Sequence, residues 1–163
     1  MEIILKSKRI RFEIFTIDKV NHTYKKWMND SEITKFIIKS NINSIKSLKI
    51  FVDSLNNSEN FFFRVIDIKS KQHIGNVRIG PLNFKTQCSG YGILIGNKKF
   101  HKKGYGKEIT NFSLDFLFKF LRFKRMEFDC YINNVAAINL YQSLGFKEKS
   151  KNNKMTTFYK TNE

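Results

Sequence analysis

The chain is predicted to fold as a mixed α/β domain, with a largely antiparallel twisted sheet flanked by about four helices. Three observations predict this. Two strand-like runs, residues 61–68 and 73–79, are separated only by the polar turn at 69–72, which suits an antiparallel hairpin. Segments with helical three-to-four spacing lie before that hairpin, at 44–55, and after it, at 104–123. No repeat or linker divides the 163 residues, a length suited to one domain of about 100 to 150 residues, so residues 1–163 are read as one domain.

The elements follow in order. Residues 3–15 alternate apolar and polar side chains in IRFEIF and read as a first strand. Asp18 is placed as the cap of the next helix, which runs through Tyr24 and Trp27 and stops at the turn-forming residues Asn29 and Asp30. At 44–55, Ile45, Leu48, Phe51, Val52 and Leu55 recur at helical spacing, and Asn56 and Asn57 end the run. After the hairpin, GYGILI at 90–95 continues the sheet as a short buried strand. Residues 104–123 carry Ile109, Phe112, Phe116, Leu117, Phe120 and Leu121 on a broad apolar face, widened by Phe118 and Phe123, so this helix packs deeply. Residues 125–132 alternate again, with Met126, Phe128 and Cys130 on one side. Asn134 opens a short helix through Tyr141 that Gly145 ends, and strands near 146–149 and 154–160 close the chain.

Composition narrows the class. An apolar fraction of 41% and an aromatic fraction of 15%, with 17 Phe, exclude a disordered chain. The net charge of +16 invites a nucleic-acid reading. The chain is also crowded with Ile, Asn and Phe, with one Pro and only Ala136 and Ala137 as alanines, so the lysine excess tracks residues of A/T-rich codons. No RNP-type strand, zinc knuckle or basic arm supports RNA binding, and no nucleic-acid partner is expected. Cys88 and Cys130 lack CxxC spacing and read as two buried thiols; His22, His73 and His101 are scattered, and no metal site is expected. Charges interrupt the apolar run at the N-terminus and no stretch nears 18 apolar residues, which fits a soluble protein of a reducing cytoplasm with no membrane partner.

Two motifs carry chemistry. HKKGYGK, from His101 to Lys107, sets two glycines between a strand and a long helix. Glycine lets a backbone approach an anion, and the first turn of a helix offers unpaired N–H groups and a positive dipole end. Lys98, Lys99, Lys102, Lys103 and Lys107 add a positive field. On residues alone the run is either an anion cradle or a solvated basic turn. In NVAAINLYQSLGF, residues 134–146, Asn134, Ile138 and Tyr141 share a helix face. That face either presents an amide and a phenol together or consists of a cap and a core aromatic.

Together these motifs resemble the GNAT superfamily of acyl-CoA-dependent N-acetyltransferases: strand, basic loop, Gly-x-Gly, helix, strand, then Asn-x-x-Ala-Ile-x-Leu-Tyr-x-x-Leu-Gly-Phe. The resemblance covers about residues 61–159. Residues 25–33 resemble the Trp-x-Asn-Asp opening of the branch that holds ribosomal-protein N-terminal and amino-sugar acetyltransferases; they fit an ordinary amphipathic helix equally well.

The resemblance implies direct attack of an amine on acetyl-CoA, with no acyl-enzyme. The backbone of Lys102, Lys103, Gly104, Tyr105, Gly106 and Lys107 would receive the CoA diphosphate. Ile93, Leu94 and Ile95 would pair with the pantetheine arm, an amide near Leu94 or Ile95 polarising the thioester. Asn134 would hydrogen-bond the cofactor, and Tyr141 would protonate the departing thiolate. His101 stands where the family usually has Arg or Gln, and a histidine can still donate to phosphate. Trp27, Asn29 and Asp30 are the implied acceptor-site residues. Asp30, Glu32, Glu59 and His73 are candidate bases, each also readable as a surface residue. The implied acceptor is a nucleotide-linked amino sugar, with a ribosomal or other protein N-terminus as alternative, and polyamines fit a chain of +16 less well. The resemblance leaves room for a homodimer. The contrasting class is a basic RNA-binding module without catalysis.

Overall fold

A computed structural model of the chain describes residues 5–37 and 42–163. Among them, eight strands form one sheet in the order β1-β2-β3-β4-β5-β6-β8-β7. The strands are β1 (Leu5–Lys6), β2 (Ile10–Ile14), β3 (Phe61–Asp67), β4 (His73–Asn83), β5 (Cys88–Ile95), β6 (Arg125–Tyr131), β7 (Lys147–Lys151) and β8 (Met155–Thr161). Every neighbouring pair is antiparallel except β5 and β6. The expected hairpin is β3–β4, and β4 runs beyond residue 79 through Pro81, which sits where the ladder register shifts and a proline N is not needed.

Among the described residues five α-helices flank the sheet: α1 (His22–Met28), α2 (Ser31–Thr34), α3 (Ile45–Asn56), α4 (Tyr105–Asp115) and α5 (Val135–Ser143). The added helix is α2. Asp30, read from sequence as a stop, also starts this turn, its carboxylate accepting from the amides of Glu32 and Ile33. Asn21 rather than Asp18 caps α1, its Oδ1 accepting from Tyr24 N at 3.0 Å, because Asp18 falls in a separate 3-10 turn, Ile17–Lys19. The first strand is two strands, folding back at residues 7–9; Ile3 and Ile4 lie outside the described residues. α4 passes at Phe116–Phe120 into a π-helical turn and ends there, short of residue 123.

Two cores hold the layers together. On one face, Ile10, Phe12, Phe63, Val77, Ile79, Ile109 and Leu117 pack between the sheet and α4, with the Phe12 and Phe112 rings stacked at 3.5 Å. On the other, Phe15, Tyr24, Trp27, Leu48, Val52, Leu55 and Phe62 join α1 and α3 to β3. Leu48 and Val52 are fully buried. At about 1.5–3 kcal/mol per buried aliphatic side chain, such contacts outweigh the roughly 1 kcal/mol of the Ser44 cap that starts α3. Cys130 is buried as expected, whereas Cys88, at the first position of β5, is half-buried.

Candidate active site

The parallel pair β5–β6 opens the sheet. Its ladder joins only Cys88 to Arg125 and Ser89 to Met126, so from Gly90 onward β5 has no paired neighbour on that side. The two strands start together and then part. Their carboxyl ends lead into the loop before α4 and into Asn134, where crevices of α/β sheets take ligands. Ile93 and Ile95 pack toward the α4 core and Leu94 toward the α1–α3 core, so the free edge of β5 is anchored on both faces.

The loop after β5 presents bare backbone. Gly104 is the N-cap of α4 at φ +81, a left-handed conformation that glycine adopts without strain, and Lys102 is left-handed too at φ +57. The helical ladder begins with Glu108 N donating to Gly104 O at 3.2 Å. The amides from Lys102 to Lys107 donate to no acceptor among the described residues. Unpaired amides ahead of a helix are donors that an anion can accept from.

Arg9 of the β1–β2 turn holds this loop from outside. Its Nη1 donates to Lys103 O at 2.9 Å, its guanidinium lies 4.0 Å from the centre of the Tyr105 ring, and its Nε bonds Glu108 at 2.7 Å. Lys98, expected to add charge to the loop, is turned away into a bridge with Asp30 at 2.9 Å and Glu32 at 3.0 Å. The His101 imidazole lies 2.7 Å from the carbonyl of Ile95, at the end of β5.

Across the opening, α5 carries the second motif. Asn134 caps the helix through its Oδ1, which accepts from Ala137 N at 3.3 Å, while its Nδ2 bonds no described residue. The cap and a ligand role are compatible. Tyr141 is 5% exposed and packs edge-on to Tyr91 at 6.4 Å and Phe128 at 4.6 Å. Burial first, then the neighbouring Tyr91 and Cys130, hold its phenol pKa well above 10. Its hydroxyl bonds no described residue, so its proton is not committed within them.

The face opposite α4 holds Trp27, Asn29 and Asp30 in intrachain contacts. Trp27 is 6% exposed in the α1–α3 core, and Gly96 exists to admit it: a Cβ there would sit 1.9 Å from the indole. Asn29 Nδ2 donates to Lys25 O and Asn43 O, and Asp30 is shared between α2 and Lys98. His73 is not a surface residue. Its Nε2 faces two acceptors, Gly75 O at 3.0 Å and Asn76 Oδ1 at 2.8 Å, and so carries the proton; burial pushes its pKa down to about 4. Of the other candidate bases, Asp30 and Glu32 are paired with Lys98 and Glu59 is exposed.

A carboxylate not singled out from sequence lies at the opening. Asp129 on β6 is exposed, accepts from Thr157 Oγ1 at 2.5 Å, and falls on the same side of the sheet as Gly92, because Ser89 and Met126 are paired and side chains alternate from there.

Comparison with known proteins decides the family. The model of the acetyltransferase (GNAT) domain matches residues 9–147. The chain belongs to the GNAT acetyltransferase family. A spermidine N(1)-acetyltransferase of Vibrio cholerae is 27% identical over 85 residues, which is 52% of this chain; the match spans about half of that relative, 49% of its length. The solved spermidine N-acetyltransferase of Vibrio cholerae in complex with CoA and spermine superposes with TM-score 0.83 at 18% identity, covering 95% of this chain and 96% of that one. The ribosomal-protein-S5-alanine acetyltransferase of Vibrio fischeri superposes with TM-score 0.83 at 16% identity, covering 99% and 98%. At these identities the structures share the GNAT fold.

Within this GNAT fold, the residues of the two motifs converge on the β5–β6 opening: the free edge of β5 with Ile93, Leu94 and Ile95, the loop from His101 to Lys107, and Asn134 and Tyr141. Trp27, Asn29 and Asp30 are committed to intrachain contacts. Among the described residues no cluster of three His, Cys, Asp or Glu could hold a metal ion, and no helix is long and apolar enough to cross a membrane. Arg9 and Asp129 escaped sequence reading because strand register and loop packing, not local spacing, bring them to the opening.

Proposed function

We propose that this chain is an acetyl-CoA-dependent N-acetyltransferase that passes the acetyl group directly to a primary amine. The observation that carries the reading is the parting of β5 and β6 between a loop of unpaired amides and a protonated phenol. The diphosphate of CoA seats on the amides from Lys102 to Lys107, and its pantetheine arm lies along the free edge of β5. A backbone amide near Leu94 or Ile95 polarises the thioester carbonyl.

The amine nitrogen attacks that carbonyl carbon. The C–N bond forms, the C–S bond breaks, and Tyr141 gives its proton to the departing thiolate. A buried phenol that stays protonated at neutral pH is suited to this step. The proton leaving the amine passes to Asp129, directly or through water.

The acceptor class is a primary amine. The named relatives act, by their descriptions, on spermidine or on a ribosomal protein. The nucleotide-linked amino sugar expected from the sequence draws no support from them and rests on the resemblance of residues 25–33 and of IGNKK at residues 95–99.

Acetyl-CoA at about 100 times its dissociation constant should stabilise the protein by about 2.7 kcal/mol, and amines should make it release thiol. A chain indifferent to acetyl-CoA that instead bound RNA with steep salt dependence would be a basic RNA-binding module.

A further inference from the structure

One arginine on the α1–α3 face of the sheet, beside the opening, carries a charge that the described fold does not answer. Arg78 stands on β4 opposite Gly92 of β5. Since residue 92 has no side chain, the guanidinium extends over β5: a Cβ built at Gly92 would lie 3.9 Å from Nη2 and 4.0 Å from Nε. Gly92 belongs to the stretch of β5 that has lost its β6 neighbour, so Arg78 reaches the rim of the opening.

The guanidinium is half-buried, and among the described residues it meets no carboxylate. Apart from Asp129 on β6, which accepts from Thr157 Oγ1, the acids nearest on this side are engaged elsewhere. Glu13 takes Arg11, Lys19 and Arg64, Asp30 and Glu32 take Lys98, and Glu127 takes Arg125 and Lys149.

Neighbouring groups have the same sign of demand. Of the five buried polar side-chain atoms without a partner, three are N–H donors on this face: Arg64 Nε, Asn76 Nδ2 and Arg78 Nε. Asn76 is 2% exposed, lies two residues before Arg78 on the same strand, and pairs with Arg64 across the ladder. Burial lowers the pKa of Arg78 from the ordinary arginine range, the mark of a charge removed from water. A guanidinium taken out of water without an anion is costly, and unanswered donors beside it are complementary to an anion.

We propose that the acceptor is an amine bearing a carboxylate or phosphate a few bonds from the reacting nitrogen, with Arg78 as the specificity-determining residue that binds that anion. The Nε and Nη2 groups offer the two parallel donors of a bidentate contact. Asp129, on β6 across the opening, faces the ammonium end, so the two rims carry opposite charges matched to one zwitterion. A polycation would meet Arg78 as a like charge. This inference rests on the transferase reading, and its test separates the two.

Thiol release is measured with acetyl-CoA and four acceptors of one chain length: 3-aminopropanoate, 3-aminopropyl phosphate, propylamine and 1,3-diaminopropane. Wild type should prefer an anionic member by at least about tenfold in kcat/KM, one bidentate contact's worth. The better of the first two identifies carboxylate or phosphate as the source.

Arg78→Met should abolish that preference through KM for the anionic amines and keep the acetyl-CoA-induced rise in Tm that shows it folded. Arg78→Lys should restore part of it. In wild type saturated with CoA, the preferred anionic amine should add a further thermal shift that propylamine does not. Equal use of all four amines, preference for the diamine, or an unchanged preference in a folded Arg78→Met overturns the assignment while leaving acetyl transfer standing. Absence of any acetyl-CoA-induced shift, with no thiol release from any amine, overturns the transferase reading itself.

Discussion

A phenol packed among Tyr91, Phe128, Phe146 and Phe158 keeps its proton through the neutral range, because burial raises the pKa of Tyr141 well above 10. Tyr141→Phe deletes one oxygen and keeps the packing, so kcat for thiol release should fall on the order of 10²-fold with acetyl-CoA-induced stabilisation intact. Full turnover in that variant would remove Tyr141 from the chemistry. Trp27 belongs to a different class of residue. It is 6% exposed against Gly96, and Trp27→Ala should cost about 3–5 kcal/mol in urea unfolding. A folded Trp27→Ala of unchanged stability with altered acceptor KM would return it to the acceptor site. The helix that carries Tyr141 was legible because NVAAINLYQSLGF is contiguous, whereas its aromatic neighbours Tyr91, Phe128 and Phe158 come from other strands. Trp27 was readable both ways because an aromatic on an amphipathic helix does not reveal which side of a sheet it will meet.

The loop before α4 works as one element with the turn that braces it. Arg9 bonds Lys103 O, lies over Tyr105 and pairs with Glu108. Arg9→Met should therefore raise KM for acetyl-CoA by about tenfold with kcat little changed, the pattern of lost uniform binding; steady-state kinetics at saturating amine would check it. Gly104→Ala should weaken acetyl-CoA binding and cost roughly 1–2 kcal/mol, since φ +81 is disfavoured for any residue with a Cβ. Local pattern placed the strands and long helices well, because period and caps are properties of neighbouring residues. It missed what depends on tertiary strain or packing: the fold-back that makes two strands of residues 5–14, the one-turn α2, and the π turn at Phe116–Phe120, where Phe112, Phe116 and Phe120 stack at 6.0 and 5.3 Å.

Over the whole molecule, a net charge of +16 acts at long range. Raising ionic strength should lower kcat/KM for the polyanionic acetyl-CoA more than kcat, as screening removes steering. Stability should respond to pH through His73. Burial pushes its folded pKa down to about 4, below the unfolded value of about 6.5, so the neutral ring is the folded form. Its contribution is complete above about pH 6.5 and is lost as pH falls from there through 4, a window of roughly 3 kcal/mol. Urea midpoints should drop between pH 7 and pH 5 in wild type and drop less in His73→Gln. The mixed α/β class, the basic Gly-x-Gly loop and the helix that carries Tyr141 were legible in the amino-acid sequence, because each is written in contiguous residues. The long-range packing set the parting of β5 and β6 after two ladder pairs, Cys88–Arg125 and Ser89–Met126, and brought Arg78 and Asp129 to opposite rims of the opening. Strand register joins residues distant in the chain, and no local pattern encodes it.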